Sequence, residues 1–306
     1  IKGAYSLVIL TNKKLIGVRD PFGIRPLVLG DKNGSPVLAS ETCALDMIGA
    51  KYVRDIENGE IVVITEKGIE SIKPFKNISE RPCIFERIYF ASPDSIVGDK
   101  TVYTYRKSLG VELAKENNIS ADVVVPIPDS GVSAALGFSQ KSSIPFELGI
   151  IRSHYVGRTF IEPSQSIRQF GVKLKHSVNR SCIENKRVIL IDDSIVRGTT
   201  ASKIVKMVYE AGAKEVHLGI SCPPIKHPDF YGIDTPNYDE LIASKSNIEE
   251  MTNLVGAKSL FFLSLNGTYK AMGCKERNNK LPQFTDHCFT GEYPIDVSEI
   301  LKINST

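Results

Sequence analysis

The stretch RVILIDDSIVRGTTASKIVKMVYEAGA, residues 187–213, constrains the fold more than any other. Its first five residues place aliphatic side chains on both faces of a strand, which fits a strand buried on both sides of a parallel sheet. Such a strand needs helices over it. The same stretch supplies one, because Ile204, Val205, Val208 and Tyr209 recur at helical spacing as a single core-facing stripe. Ala211 and Gly212 then close the helix.

The pattern recurs from about residue 76 onward. Strands are predicted in DVVVPIP (122–128), FELGII (146–151), RVILID (187–192) and EVHLGIS (215–221). Helices are predicted over 103–118, 132–141 and 200–211. Alternation of this kind predicts a parallel sheet covered by helices. Residues 1–75 have another texture. Short β segments at 4–10, 13–20, 25–30, 35–40 and 59–72 are separated by Thr-Asn-Lys-Lys, Asp-Pro-Phe-Gly and Asp-Lys-Asn-Gly turns, with one helix over 41–50. This predicts an antiparallel, sheet-rich unit with a boundary near residues 76–81.

The chain has 306 residues, enough for about two domains. It opens on Ile1 in what reads as a mid-domain strand, so residues are expected upstream. A net charge of +3 is too small to imply a nucleic-acid or membrane surface. No run of ~18 apolar residues is present. The six cysteines are widely spaced without a C-x-x-C pair, which fits reduced thiols in a cytoplasmic protein better than disulfides or zinc.

Asp192 and Asp193 fall at the C-terminal end of a predicted buried strand, where open α/β sheets bind ligands. Adjacent carboxylates repel each other unless a cation or a polyhydroxylated group sits against them. The turn that follows, Ser194 to Thr200, aims backbone N–H groups above the sheet. Gly198 permits close approach, Thr199 and Thr200 add hydroxyls, and Arg197 adds charge, so the helix start suits a phosphate. A sugar phosphate carries partners for both halves. Ordinary capping by aspartate and threonine is the alternative. A second turn, PDSG with Asp129 and Ser130, follows another buried strand. Residues 152–181 are rich in Arg, Lys and His, carry one acid and lack periodicity. They read either as a solvated excursion or as a basic lid over an anion.

DDSIVRGTT resembles the phosphoribosyl pyrophosphate (PRPP) motif of type I phosphoribosyltransferases. RDPFGIRPLVLG (19–30), ASETCALD (39–46), YFASPDS (89–95), VVVPIPDSG (123–131), HYVGRTFI (154–161) and YGIDTP (231–236) resemble the amidophosphoribosyltransferase family, in its order. The resemblance implies an α/β type I phosphoribosyltransferase fold over 79–306, a parallel sheet with flanking helices. It implies part of an α+β N-terminal-nucleophile glutaminase domain over 1–78. The implied reaction transfers nitrogen from glutamine or ammonia to C1 of PRPP and releases pyrophosphate, the first committed step of purine biosynthesis.

The resemblance also assigns residues. Asp192, Asp193, Ser194, Arg197, Gly198, Thr199 and Thr200 would hold the ribose hydroxyls and the 5-phosphate. Asp129 and Ser130 would hold pyrophosphate, and Ser130, Asp192 and Asp193 would hold Mg²⁺. Arg158 and Lys175 would act in catalysis from the basic segment. Purine nucleotides are implied as feedback inhibitors, and a homo-oligomer as the assembly. Two departures are visible. Position 1 is Ile where the family's glutaminase nucleophile is a cysteine, so this stretch is expected to use ammonia. Of the four cysteines that hold a [4Fe–4S] cluster in some members, Cys83 and Cys288 match, whereas Asp229 and Thr285 do not, so no cluster is expected. A transferase acting on a nucleobase and a non-catalytic PRPP-sensing module remain the rival readings.

Overall fold

The computed structural model describes every residue except 2, 76–77, 154–175, 236 and 299–306. It divides into two compact units. The first comprises residues 1–103, 227–237 and 277–306; the second comprises 104–226 and 238–276. The sequence texture changes near residue 78, but packing does not divide the chain there. Residues 79–103 and two later segments fold with the N-terminal strands.

The first unit holds two antiparallel sheets. Strands β1 (Ser6–Leu10), β2 (Leu15–Arg19), β6 (Ile61–Thr65) and β7 (Gly68–Ile72) form one, in the order β1-β2-β6-β7. Strands β4 (Ser35–Ala39), β3 (Val28–Lys32) and β5 (Lys51–Asp55) form the other, in the order β4-β3-β5. Leu27, Leu29, Ile56, Val62 and Ile64 pack as one core cluster of this unit. Helix α1 (Thr42–Ile48) lays Leu45 against Val28 and Ala50 in another. Gly49 ends α1 in a left-handed conformation. A short hairpin, β8 (Ile96–Val97) with β9 (Lys100–Thr101), precedes the second unit.

The second unit is built on a parallel sheet of β10 (Val123–Pro126), β13 (Arg187–Asp192), β14 (Glu215–Ile220) and β15 (Ser259–Phe262), in that order. Val123, Val124, Val125, Val188, Ile189, Leu190 and Ile191 are all buried, as the aliphatic runs demand. Each full burial of this kind is worth about 1.5–3 kcal/mol. Helices α2 (Val102–Glu116), α3 (Val132–Ser142) and α5 (Thr199–Glu210) lie within a residue or two of their predicted spans. Ile204, Val205 and Val208 of α5 are buried, and the Tyr209 hydroxyl accepts the Val216 N–H at 3.2 Å.

FELGII departs from expectation. Only Phe146 bridges to β10, at Val124. Ile150–Arg152 forms β11, antiparallel to β12 (His176–Val178) in a separate two-stranded sheet. Its run of apolar residues was too short to tell the two sheet types apart. A one-turn helix, α4 (Arg180–Ile183), leads back into β13. Helices α6 (Ile242–Lys245), α7 (Ile248–Val255) and α8 (Leu265–Ala271) complete the unit. Among the described residues no helix is long and apolar enough to cross a membrane. All six cysteines are free thiols.

Candidate functional site

Two turns leave the carboxyl ends of the neighbouring strands β10 and β13. The first is fixed by backbone. Ile127 N–H donates to Ile191 O at 2.8 Å, extending the strand pairing, and Gly131 N–H closes the turn on Ile127 O at 3.0 Å. A Cβ at position 131 would lie 2.2 Å from Ile191 O and 2.8 Å from Ile127 O, so glycine alone fits there. The turn is thereby seated on the end of β13. Its Ser130 hydroxyl donates to Asp192 Oδ1 at 3.4 Å, so the two predicted halves of the site meet. Asp129 lies on the exposed side of the turn, where Arg152 of β11 pairs with its carboxylate.

The second turn begins at Asp192. Asp193 N–H donates to Asp192 Oδ1 at 2.9 Å, and the Ser194 hydroxyl donates to Asp193. Asp193 is only 4% exposed. Burial, followed by the neighbouring Asp193 charge, holds the Asp192 carboxyl well above the usual range. Asp193 is also raised by burial, against hydrogen bonds from Ser130 and Ser194 and the charge of Arg106. The Cys222 thiol is pushed well up by burial and by both aspartates. Burial and mutual repulsion thus outweigh what Ser130, Ser194 and Arg106 offset at this pair.

Among the described residues no group of three or more His, Cys, Asp and Glu side chains is arranged to hold a metal. The turns offer two carboxylates and a serine hydroxyl. That donor set fits a hard cation which takes its remaining oxygens from a ligand and water, the habit of Mg²⁺.

Gly198 caps α5 at φ +76°, and no side chain caps the helix from within. Thr199 and Thr200 are exposed on its first turn, where the opening N–H groups of a helix lack intrahelical partners, an arrangement that suits an anion. Arg197 turns aside to Glu240, with Nε 3.1 Å from Oε2. Arg158 and Lys175 lie outside the described residues; the antiparallel pair Arg152–His176 brackets the segment that carries them.

Sequence reasoning missed Arg106, Arg152, Glu240 and the backbone contact of Gly131. Arg106 left a signal, being a charged residue, only 4% exposed, in the buried stripe of Val102, Tyr105, Leu109 and Leu113. Glu240 is 43 residues from Arg197 and left none.

The four positions compared with a cluster site lie in the first unit. Cys83, Asp229, Thr285 and Cys288 are all buried. The Thr285 hydroxyl donates to Arg81 O at 2.6 Å. Asp229 Oδ1 accepts the N–H groups of Tyr231 and Ile233 at 2.7 and 2.9 Å, and His287 Nε2 lies 2.9 Å from Oδ2. Burial pushes the Cys83 thiol up to about 12. Two thiols, a committed carboxylate and a bonded hydroxyl do not fit a four-thiolate cluster.

Residues 108–234 match the model of the phosphoribosyl transferase domain family. Amidophosphoribosyltransferase from Rhizobium etli is 59% identical over 300 residues, covering 96% of this chain and 60% of that protein. The Bacillus subtilis amidophosphoribosyltransferase is 48% identical, covering 97% of this chain and 62% of its own length. The chloroplastic protein from Glycine max is 52% identical, with 98% and 52% covered. The solved B. subtilis glutamine PRPP amidotransferase, complexed with ADP and GMP, superposes with a TM-score of 0.90 at 48% identity, covering 97% of this chain and 65% of that one. The chain spans between 52% and 62% of the length of these curated relatives. Across nearly all of its own residues, the chain is similar to amidophosphoribosyltransferases.

Proposed function

We propose that this chain carries the phosphoribosyl-transfer site of an amidophosphoribosyltransferase. The observation that carries the reading is the Ser130–Asp192 contact, which joins the 128–131 turn to the turn that begins at Asp192 across two adjacent parallel strands. The 5-phosphate sits on the amides of residues 194–200. Asp192 and Asp193 take the ribose hydroxyls, and the 128–131 turn takes the pyrophosphate. Nitrogen adds at C1 as the C1–O bond to pyrophosphate breaks, giving 5-phosphoribosylamine and pyrophosphate. The positive ring that develops needs no covalent help from the protein; positioning and electrostatics are the protein's part.

Mg²⁺ would be held through Asp192, Asp193 and Ser130, where it supplies neutralising charge to the leaving group. Lys175 and Arg158 are assigned to the same leaving group. Residues 1–78 are assigned to a glutaminase domain and 79–306 to the transferase domain. Glutamine is the nitrogen donor of the whole protein, and ammonia the donor for this stretch. Feedback by purine nucleotides, a homo-oligomeric assembly, a cytoplasmic location and the lack of an iron–sulfur cluster belong to the same proposal. The ADP and GMP held by the B. subtilis relative support the first of these.

The test is pyrophosphate release from PRPP and Mg²⁺, with ammonium or glutamine as nitrogen source. Release with ammonium supports the transferase. Saturable PRPP binding without release under either condition favours the sensing module instead.

A further inference from the structure

Three consecutive residues of the phosphate turn are held by two residues far away in sequence, Glu240 and Ile242. Val196 O accepts the Ile242 N–H at 2.9 Å. Arg197 pairs with Glu240 through two guanidinium nitrogens. Gly198 lies so close to Ile242 that a Cβ on it would come within 3.0 Å of Ile242 Cδ1. The bracing segment is itself anchored. Leu241 is fully buried, its N–H donates to Tyr238 O at 3.1 Å, and the Ser244 hydroxyl donates to the same carbonyl at 2.8 Å.

A turn whose backbone N–H groups must converge on one anion loses affinity if it has to be ordered at the moment of binding. Residues 194–198 are outside any helix or strand, so their order comes from neighbours. We infer that residues 240–242 are a positioning element for the phosphate end of the site, with Glu240 the positioning residue that holds the turn through Arg197. The ligand class is the phosphate monoester dianion of a sugar phosphate. The inference rests on the proposed function but concerns one end of the site alone. Arg197 and Glu240 side chains are 51% and 38% exposed. A pair this exposed adds little to stability, so its loss should appear in ligand binding and not in folding.

The experiment is calorimetry on the full chain in Mg²⁺, with ribose 5-phosphate and inorganic pyrophosphate as separate probes, for wild type, Glu240→Gln and Glu240→Ala. Both variants should bind ribose 5-phosphate about tenfold more weakly, bind pyrophosphate as wild type does, and melt within a degree or two of it. Unchanged ribose 5-phosphate affinity overturns the inference. So does equal weakening of both probes, which would mark Glu240 as merely structural. A wild-type chain that binds no ribose 5-phosphate overturns the site reading itself, and this inference with it.

Discussion

Replacing Asp192 with Asn should stabilise the ligand-free protein while removing its function. The wild-type pair sits at the end of a buried strand, with Asp193 only 4% exposed. Burial and mutual repulsion hold the Asp192 carboxyl well above its ordinary range. An asparagine keeps an oxygen for the Asp193 N–H and for the Ser130 hydroxyl, so the hydrogen bonds survive while one charge is lost. Relieving a strained site in this way typically gains about 0.5–2 kcal/mol. For a domain of this size, each kcal/mol raises the melting temperature by about 2–4 °C.

The pH dependence follows from the direction of the shift. A carboxyl with a raised folded-state pKa binds its proton more tightly folded than unfolded. Its favourable contribution is complete below the unfolded pKa and is lost as pH rises through the folded one. The stability gain of Asp192→Asn should therefore be largest at neutral pH and shrink on acidification. Thermal unfolding of both proteins between pH 5 and pH 8, without Mg²⁺ or phosphate, is the assay. A variant less stable than wild type at neutral pH, or a gain that grows on acidification, would refute the reasoning.

Gly131→Ala drives a Cβ to 2.2 Å from Ile191 O; it should cost about 1–3 kcal/mol in chemical denaturation and weaken pyrophosphate binding. Asp229→Asn removes one partner of the buried Asp229–His287 pair and should cost about 3–5 kcal/mol. Asp229 is held below the ordinary carboxylate range despite its burial, first through the His287 hydrogen bond. The contribution it makes is thus present above the unfolded pKa and fades as pH falls through the folded one, so the two proteins should converge only in strong acid. Lys175→Ala should slow single-turnover chemistry more than it weakens PRPP binding; an unchanged rate would remove Lys175 from the mechanism. Protein purified anaerobically should show no thiolate–iron absorbance, and bound iron with sulfide would contradict the donor count at 83, 229, 285 and 288.

The parallel sheet was legible because Val123–Val125 and Val188–Ile191 are aliphatic without interruption, a pattern that a half-exposed strand cannot tolerate. The amphipathic α5 was legible for the same reason, read at helical period. Asp192 and Asp193 stood out because two adjacent acids at the end of such a strand repel each other unless a cation or a polyhydroxylated group sits against them. The contacts that complete the site were not legible. Arg152 and Glu240 reach Asp129 and Arg197 across 23 and 43 residues, and neither lies in a stretch with periodicity or motif. The β11–β12 pairing was misread because Ile150 and Ile151 look like any short apolar strand until their partner is known. The division of the chain into units was hidden too, since segments near 230 and 285 return to the N-terminal unit with no change in composition.

The central claim is that the two turns are opposite ends of one binding site, with the 5-phosphate on α5 and pyrophosphate on the 128–131 turn. A crystal structure of the chain with ribose 5-phosphate, Mg²⁺ and pyrophosphate tests it most directly. The account predicts a phosphate on the amides of residues 194–200, ribose hydroxyls against Asp192 and Asp193, and pyrophosphate beside Ser130. A sugar phosphate bound with its phosphate at the 128–131 turn, or bound away from both turns, would contradict it.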